Sequence, residues 1–346
     1  MKLTIATTAL TALALISCGK GEGEDTASTG VAEDWTIMAD KVGEGVFLSA
    51  WSNGDEVMMV GGGMAGDGPG VIAHYNPDAS TICTETAVED AAIWWIHGAE
   101  EGEWFAVGER GVVLHEVDGV RTREDVESDS TLYGVWQADN GDAWAVGGSV
   151  GDAENPKGSG EIWYRNAELG TWELWIDELP GTIFKVWNGW FVGNEVAYYI
   201  DPENPAEMED RSFGEHKILT ARGANESDVW AVGGSFSATV LHFAGDAWSE
   251  VDASVLNLPL NGVWTGPGEM VWVTGMSGSQ GYYDPDLEEW TLPPYPLTME
   301  HFHAVWKHND EVLFMGGNML AMGPDYYGTV GRYGQAQDPV SVSACE

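Results

Sequence analysis

Apolar positions in this chain fall into short runs that end in glycine, and the runs recur. Residues 141–148, GDAWAVGG, return almost unchanged at 227–234 as SDVWAVGG, with weaker copies at 55–62, 102–109, 268–275 and 310–317. Small and β-branched apolar residues bounded by Gly, Asp and Asn predict strands rather than helices. An earlier strand precedes each copy, as in LYGVW at 132–136 and LNGVW at 260–264. It closes on a column formed by Trp51, His97, Trp136, Trp187, Arg222, Trp264 and Trp306. Four residues before each of these stands Phe47, Ile93, Leu132, Ile183, Ile218, Leu260 or Phe302, all apolar.

A third strand follows each glycine motif, for example VVLHE (112–116), EIWYR (161–165) and TVLHF (239–243). A fourth is readable in TWELWID (171–177), DAWSEVD (246–252) and EEWTLP (288–293). Seven units of four short strands, separated by turn residues, predict an all-β, seven-bladed propeller with four-stranded blades. In the fourth unit the first hairpin contracts to Val186-Trp187-Asn188-Gly189-Trp190, and Asn-Gly suits a two-residue type I′ turn. The seventh unit has no Trp-bearing fourth strand of its own, whereas EDWTIMAD (33–40) precedes the first unit and matches that pattern. An N-terminal strand is therefore expected to complete the last blade and protect its edge. The propeller is assigned to 33–335 and a C-terminal tail to 336–346.

The repeats VWAVGG, VLHF and GDAW resemble those of exported bacterial β-propellers of the kelch and BNR-like group. That resemblance implies the fold and leaves the function open. AELGTWE (167–173) departs from the sialidase turn, and no quinoprotein repeat is present, so the resemblance carries over no enzyme identity.

Upstream, MKLTIATTALTALALIS (1–17) has a lone positive charge at Lys2 followed by an apolar run too short to span a bilayer stably, which reads as an export signal. Leu15-Ile16-Ser17-Cys18 resembles the lipobox of bacterial lipoproteins, which implies lipidation at Cys18. Gly19 in the following position favours the outer membrane under that resemblance. Residues 18–32 are small, polar and acidic and are expected to form a flexible tether. Export places Cys83 and Cys345 in an oxidising compartment, where a disulfide is the economical expectation. Closure of the last blade would bring the chain ends together for it.

Asp and Glu number 56 against 14 Lys and Arg, a net charge of −42. Such a chain repels nucleic acid and anionic surfaces at range, so no nucleic-acid partner is expected and the membrane is reached through the lipid alone. Asp125, Glu127, Asp129 and DPDLEE (284–289) lack the ligand order of a calcium loop. No metal or cofactor is assigned, and no nucleophile, base or nucleotide loop is spelled out, so no catalytic residue is named. His301, His303 and His308 in HFHAVWKH have no carboxylate placed to orient them.

Two places break the repeat and carry the candidate ligand sites. Trp94, Trp95, Trp104, Trp163 and Trp175 lie outside the repeating Trp columns, in blades two and three. Blade three also bears the insertion SVGDAENPKGSGE (149–161), and insertions often mark a binding face. His97, Lys185, Arg222 and His303 are polar on first strands that would line the central channel, where they either hold a small anion or pair with carboxylates. The expected function is a monomeric, lipid-anchored binding or scaffold module of the cell envelope, presenting its loops to a protein or glycan. The alternative is an enzyme centred in the channel, acting on a polysaccharide or small anion.

Overall fold

The computed structural model describes residues 33–346 except 65, 67, 100–101, 203–206, 322–324, 336–339 and 346. The export signal, Cys18 and the tether lie outside the described residues. Among the described residues seven sheets are present, each built on four antiparallel strands in radial order. The first strands are Val46–Ser52, Ile93–His97, Thr131–Gln137, Ile183–Trp187, Ile218–Asn225, Leu260–Trp264 and His301–His308. Each first strand contacts those of the two adjacent blades, so the seven close into a ring around an axis. Blade seven takes its outermost strand from the other end of the chain: Glu33–Val42 pairs antiparallel with Gly328–Gln335. The N-terminal closure read from the sequence is present.

The core lies in the wedges between blades rather than in one central mass. One apolar cluster fills each of the seven blade interfaces, as where Trp51 and Trp104 meet between blades one and two, or Trp35, Trp272 and Phe314 between six and seven. The repeating tryptophans are accounted for by these wedges, where flat aromatic side chains fill the space between twisted sheets.

Each blade repeats one local device. The glycine closing the second strand stands opposite the apolar residue four positions before the column: Gly61 faces Phe47, Gly147 faces Leu132 and Gly316 faces Phe302. A Cβ at Gly61 would overlap the Val46 carbonyl oxygen, and one at Gly316 that of His301. The glycine permits this close backbone approach. These glycines are strand residues packed against a neighbouring backbone, not turn residues. Immediately after the facing residue, every first strand is bulged, so that Leu48, Trp94, Tyr133, Phe184, Leu219, Asn261 and His303 are skipped in the register. A bulge leaves its extra residue unpaired and re-aims its side chain.

The hairpin at Asn188-Gly189 has positive φ at both residues, 45° and 77°, as a type I′ turn requires. The tail lies beside blade one and adds a strand to it. Ser341–Ala344 pairs parallel with the blade-one strand Thr81–Val88, making that sheet five-stranded. The outer edge of Thr81–Val88 offers unpaired backbone groups, and the tail satisfies them. Cys83 and Cys345 are joined as a disulfide across this pair.

Candidate functional site: the propeller axis

The bulged residues form a collar around one end of the axis. Trp94 meets Tyr133 edge-on at 5.0 Å, Tyr133 meets Phe184 at 5.3 Å, and Trp94 reaches His303 at 5.9 Å. On the remaining side the collar is tied by hydrogen bonds. Asn261 Nδ2 donates to the Phe302 carbonyl at 2.9 Å, and His303 Nδ1 donates to the Leu48 carbonyl at 2.6 Å. Met64, Met319 and Tyr326 from the blade-one and blade-seven loops pack over Leu48 and Trp94.

Below the collar the axis narrows to a cavity of about 20 Å³, room for one water-sized species. Its polar lining is Lys185, Thr220, Arg222 and His97, with Trp95, Trp187 and Trp306 among the apolar groups. No carboxylate lines it. Small residues from other blades, Ala50, Gly262 and Ala304, leave the room that these larger side chains occupy. Lys185 is 3% exposed and its Nζ, which has no hydrogen-bond partner, lies over the Trp95 ring. Arg222 stacks on Trp306 at 4.8 Å and on Trp264 at 5.4 Å, while its Nε donates to the Thr265 carbonyl at 3.3 Å.

Burial lowers the proton affinity of every basic group here. Burial and then the Arg222 charge hold the Lys185 ammonium well below the usual lysine range. Burial brings Arg222 down to about 10, so it stays cationic at neutral pH. His97 falls to about 3 through burial and the nearby charges of Arg222 and Lys185. His303 falls to about 4 through burial, partly offset by its bond to Leu48 and deepened by Lys185. Both histidines are therefore neutral, and His97 Nδ1 accepts the Gln137 N–H at 3.2 Å.

Of the residues singled out in the sequence, the structure brings Trp94, Trp95, His97, Lys185, Arg222 and His303 to the axis. It does not assemble the tryptophans of blades two and three into a surface patch. Trp104 and Trp163 are core residues, 2% and 6% exposed, and Trp175 packs half-buried on the outer strand of blade three. Trp104 fills a wedge because blade two puts Phe105 where blade three has Trp144, so the aromatic bulk shifts by one residue along the strand, while Trp163 packs from the third strand of blade three into the wedge shared with blade two. The 149–161 insertion braces blade four: Asn194 Nδ2 donates to the Pro156 and Lys157 carbonyls, and Thr182 Oγ1 to the Ser149 carbonyl. His301 and His308 diverge from His303, bonding to Ser277 N and to Ser52.

A second concavity escaped the sequence reading. Between blades five and six a groove of about 720 Å³ has Trp230, Tyr283 and Trp290 in its wall and Glu250, Asp252, Glu288 and Glu289 around it. Trp290 is fixed by donating its indole N–H to the Asp252 carbonyl at 2.8 Å, and His242 stacks flat on Trp230 at 4.1 Å. All three aromatics belong to repeating positions, so only the pairing of two blades reveals the groove.

No protein-family model and no curated protein matches the chain. Solved structures do. A structure described as YCF48 bound to D1 peptide superposes with a TM-score of 0.63 at 14% identity, covering 87% of this chain and 97% of that one. A catalytically inactive virginiamycin B lyase from Staphylococcus aureus with quinupristin gives 0.64 at 14% identity, covering 88% and 99%. The selenomethionine form of that lyase gives the same values. At this identity the likeness establishes the propeller fold alone.

Proposed function

We propose that this propeller is a binding platform for a protein partner, engaged through a basic segment that seats in the groove between blades five and six. The groove itself carries the reading: it is an aromatic-walled concavity with room for a peptide, somewhat larger than one of about 660 Å³ lined by Trp136 and Tyr199, and its exposed carboxylates are not balanced by any Lys or Arg in its lining. Pockets that take small molecules or peptide side chains run to about 300–1,000 Å³. The axial cavity at about 20 Å³ is far too small for a saccharide or other substrate, which argues against an enzyme working on polysaccharide in the channel.

Charge points the same way. At −42 the chain favours cationic surfaces at range, and electrostatic complementarity sets encounter rate and partner choice. An exposed apolar side chain, Val255 on the loop that links blades five and six, lies in the groove lining itself. Such a residue supplies contact area around a central aromatic anchor. That a neighbour of the same fold was solved with a peptide is compatible with this use of a propeller.

The export-signal and lipobox-like residues upstream support a platform outside the cytoplasm, held by a lipid at Cys18 in the outer membrane. Cys18→Ser should move the protein from the membrane to the soluble fraction. The binding reading is tested by titrating the protein with fluorescent Lys/Arg-rich peptides bearing one aromatic residue, with acidic versions as controls. Binding should weaken with salt and fall at least tenfold in Trp290→Ala and in Glu250→Lys with Glu289→Lys. Equal binding of acidic peptides, or binding indifferent to these substitutions, refutes it, as does retention by neutral glycans alone.

A further inference from the structure

We propose that the propeller axis binds one small monovalent anion of halide size, held between the Lys185 ammonium and the Arg222 guanidinium. This inference is independent of the groove.

The cavity's chemistry is one-sided. Its basic lining consists of Lys185 and Arg222, its histidine is neutral, and its lining holds no carboxylate, so an anion bound there would hold Lys185 in the protonated form that burial and Arg222 otherwise disfavour. Among the buried side-chain atoms without a partner, those on first strands are Trp94 Nε1, Lys185 Nζ and Trp264 Nε1, all of them donors. A buried donor left unsatisfied costs free energy, and a buried charge costs more. One anion satisfies both demands together, whereas a water oxygen answers the hydrogen bond and leaves the charge. Arg222 contributes too, since its contacts are to aromatic faces and to a carbonyl through Nε, leaving the rest of the guanidinium fork to face the cavity it lines.

Size selects the class of ion. A space of about 20 Å³ is on the scale of one monatomic ion and well below that of phosphate or an organic carboxylate. The net charge of −42 does not forbid this occupancy. Exposed carboxylates are screened over roughly 8 Å at physiological salt, while buried charges at the axis are screened much less. The mutual repulsion of Lys185 and Arg222, each buried and within reach of the other, is what the anion relieves.

Bromide is the probe. Crystals of the full chain soaked in sodium bromide should show an anomalous peak on the axis, in contact with Lys185 Nζ and Arg222. In solution, replacing sodium gluconate by sodium bromide at constant ionic strength should raise the melting temperature along a saturating curve. That rise should be lost in Lys185→Met and in Arg222→Met, with circular dichroism reporting whether each variant keeps the fold. An axis without anomalous density overturns the proposal even if both variants fail to fold. So does a bromide-dependent rise of equal size in folded Lys185→Met.

Discussion

Lysine 185 is the sharpest lever on the stability of this ring. It is buried, lies against the Trp95 face, and has no hydrogen-bond partner. The groups facing it are Arg222, which is positive, and His97 and His303, which are neutral. The lysine pKa is lowered on folding, so between the folded and unfolded values the unfolded chain binds a proton that the folded chain does not. Stability then rises with pH across that window, by about 1.4 kcal/mol per pH unit for one group, and the gain ends near the unfolded value of about 10.4. Lys185→Met keeps the length and removes the proton. Urea denaturation of both proteins in gluconate buffer at pH 8, 9 and 10 should give wild-type midpoints that climb relative to the variant, at no more than about 1.4 kcal/mol per unit. The variant should be the more stable protein at pH 8. Other titrating groups cancel in the difference. Parallel stability curves from pH 8 to 10 would refute the argument that the lysine is buried without compensation.

Four further outcomes follow from particular contacts. His97 and His303 have depressed pKa values of about 3 and about 4, so their contribution is complete above the unfolded value of about 6.5. It is lost as pH falls from there, at about 1.4 kcal/mol per unit per histidine, and a stability profile of His303→Gln should be measurably flatter between pH 6 and 4.5. Reducing the Cys83–Cys345 bond, with a sequence separation of 262, frees a long loop in the unfolded chain and should cost up to about 5.6 kcal/mol, read as a lower urea midpoint with reductant. Trp35→Ala, at 8% exposure and with Trp272, Phe314 and Tyr333 around it, should lose about 3–5 kcal/mol and unfasten blade seven first in hydrogen exchange. Gly147→Ala forces a Cβ into the Thr131 carbonyl and should destabilise by more than about 1 kcal/mol despite the good strand context, checked by thermal melting.

How much of this was legible beforehand divides along a physical line. Strand order, blade number and the N-terminal closure were readable because each blade buries the same face, so the pattern had to repeat. The axis was readable for a related reason: Lys185 breaks a column that holds Ser49, Gly134, Gly262 and Ala304 in other blades, and Arg222 breaks one that is mostly Trp. Two features were not. Trp104 looked like a surplus aromatic, since a one-residue shift along a strand moves a side chain to the other face and only the register shows which wedge receives it, and Trp163 did because it stands where other blades carry Leu114 and Leu241. The groove between blades five and six is built wholly from residues that obey the repeat, so no single position signals it. Likewise the bulge leaves no mark on hydrophobic periodicity; its trace in the sequence is the glycine opposite, which reads as part of a turn until the strand pairing is known.

The tail's attachment to blade one also changes what a cut in this chain would mean. Cys83 and Cys345 enclose blades two to six and the three inner strands of blade seven in one covalent circle. A protease acting on an exposed link such as 150–157 would open that circle without dividing it. The two pieces would migrate as one species until reductant is added. Damage to a peptide bond and loss of a blade are thereby made separate events.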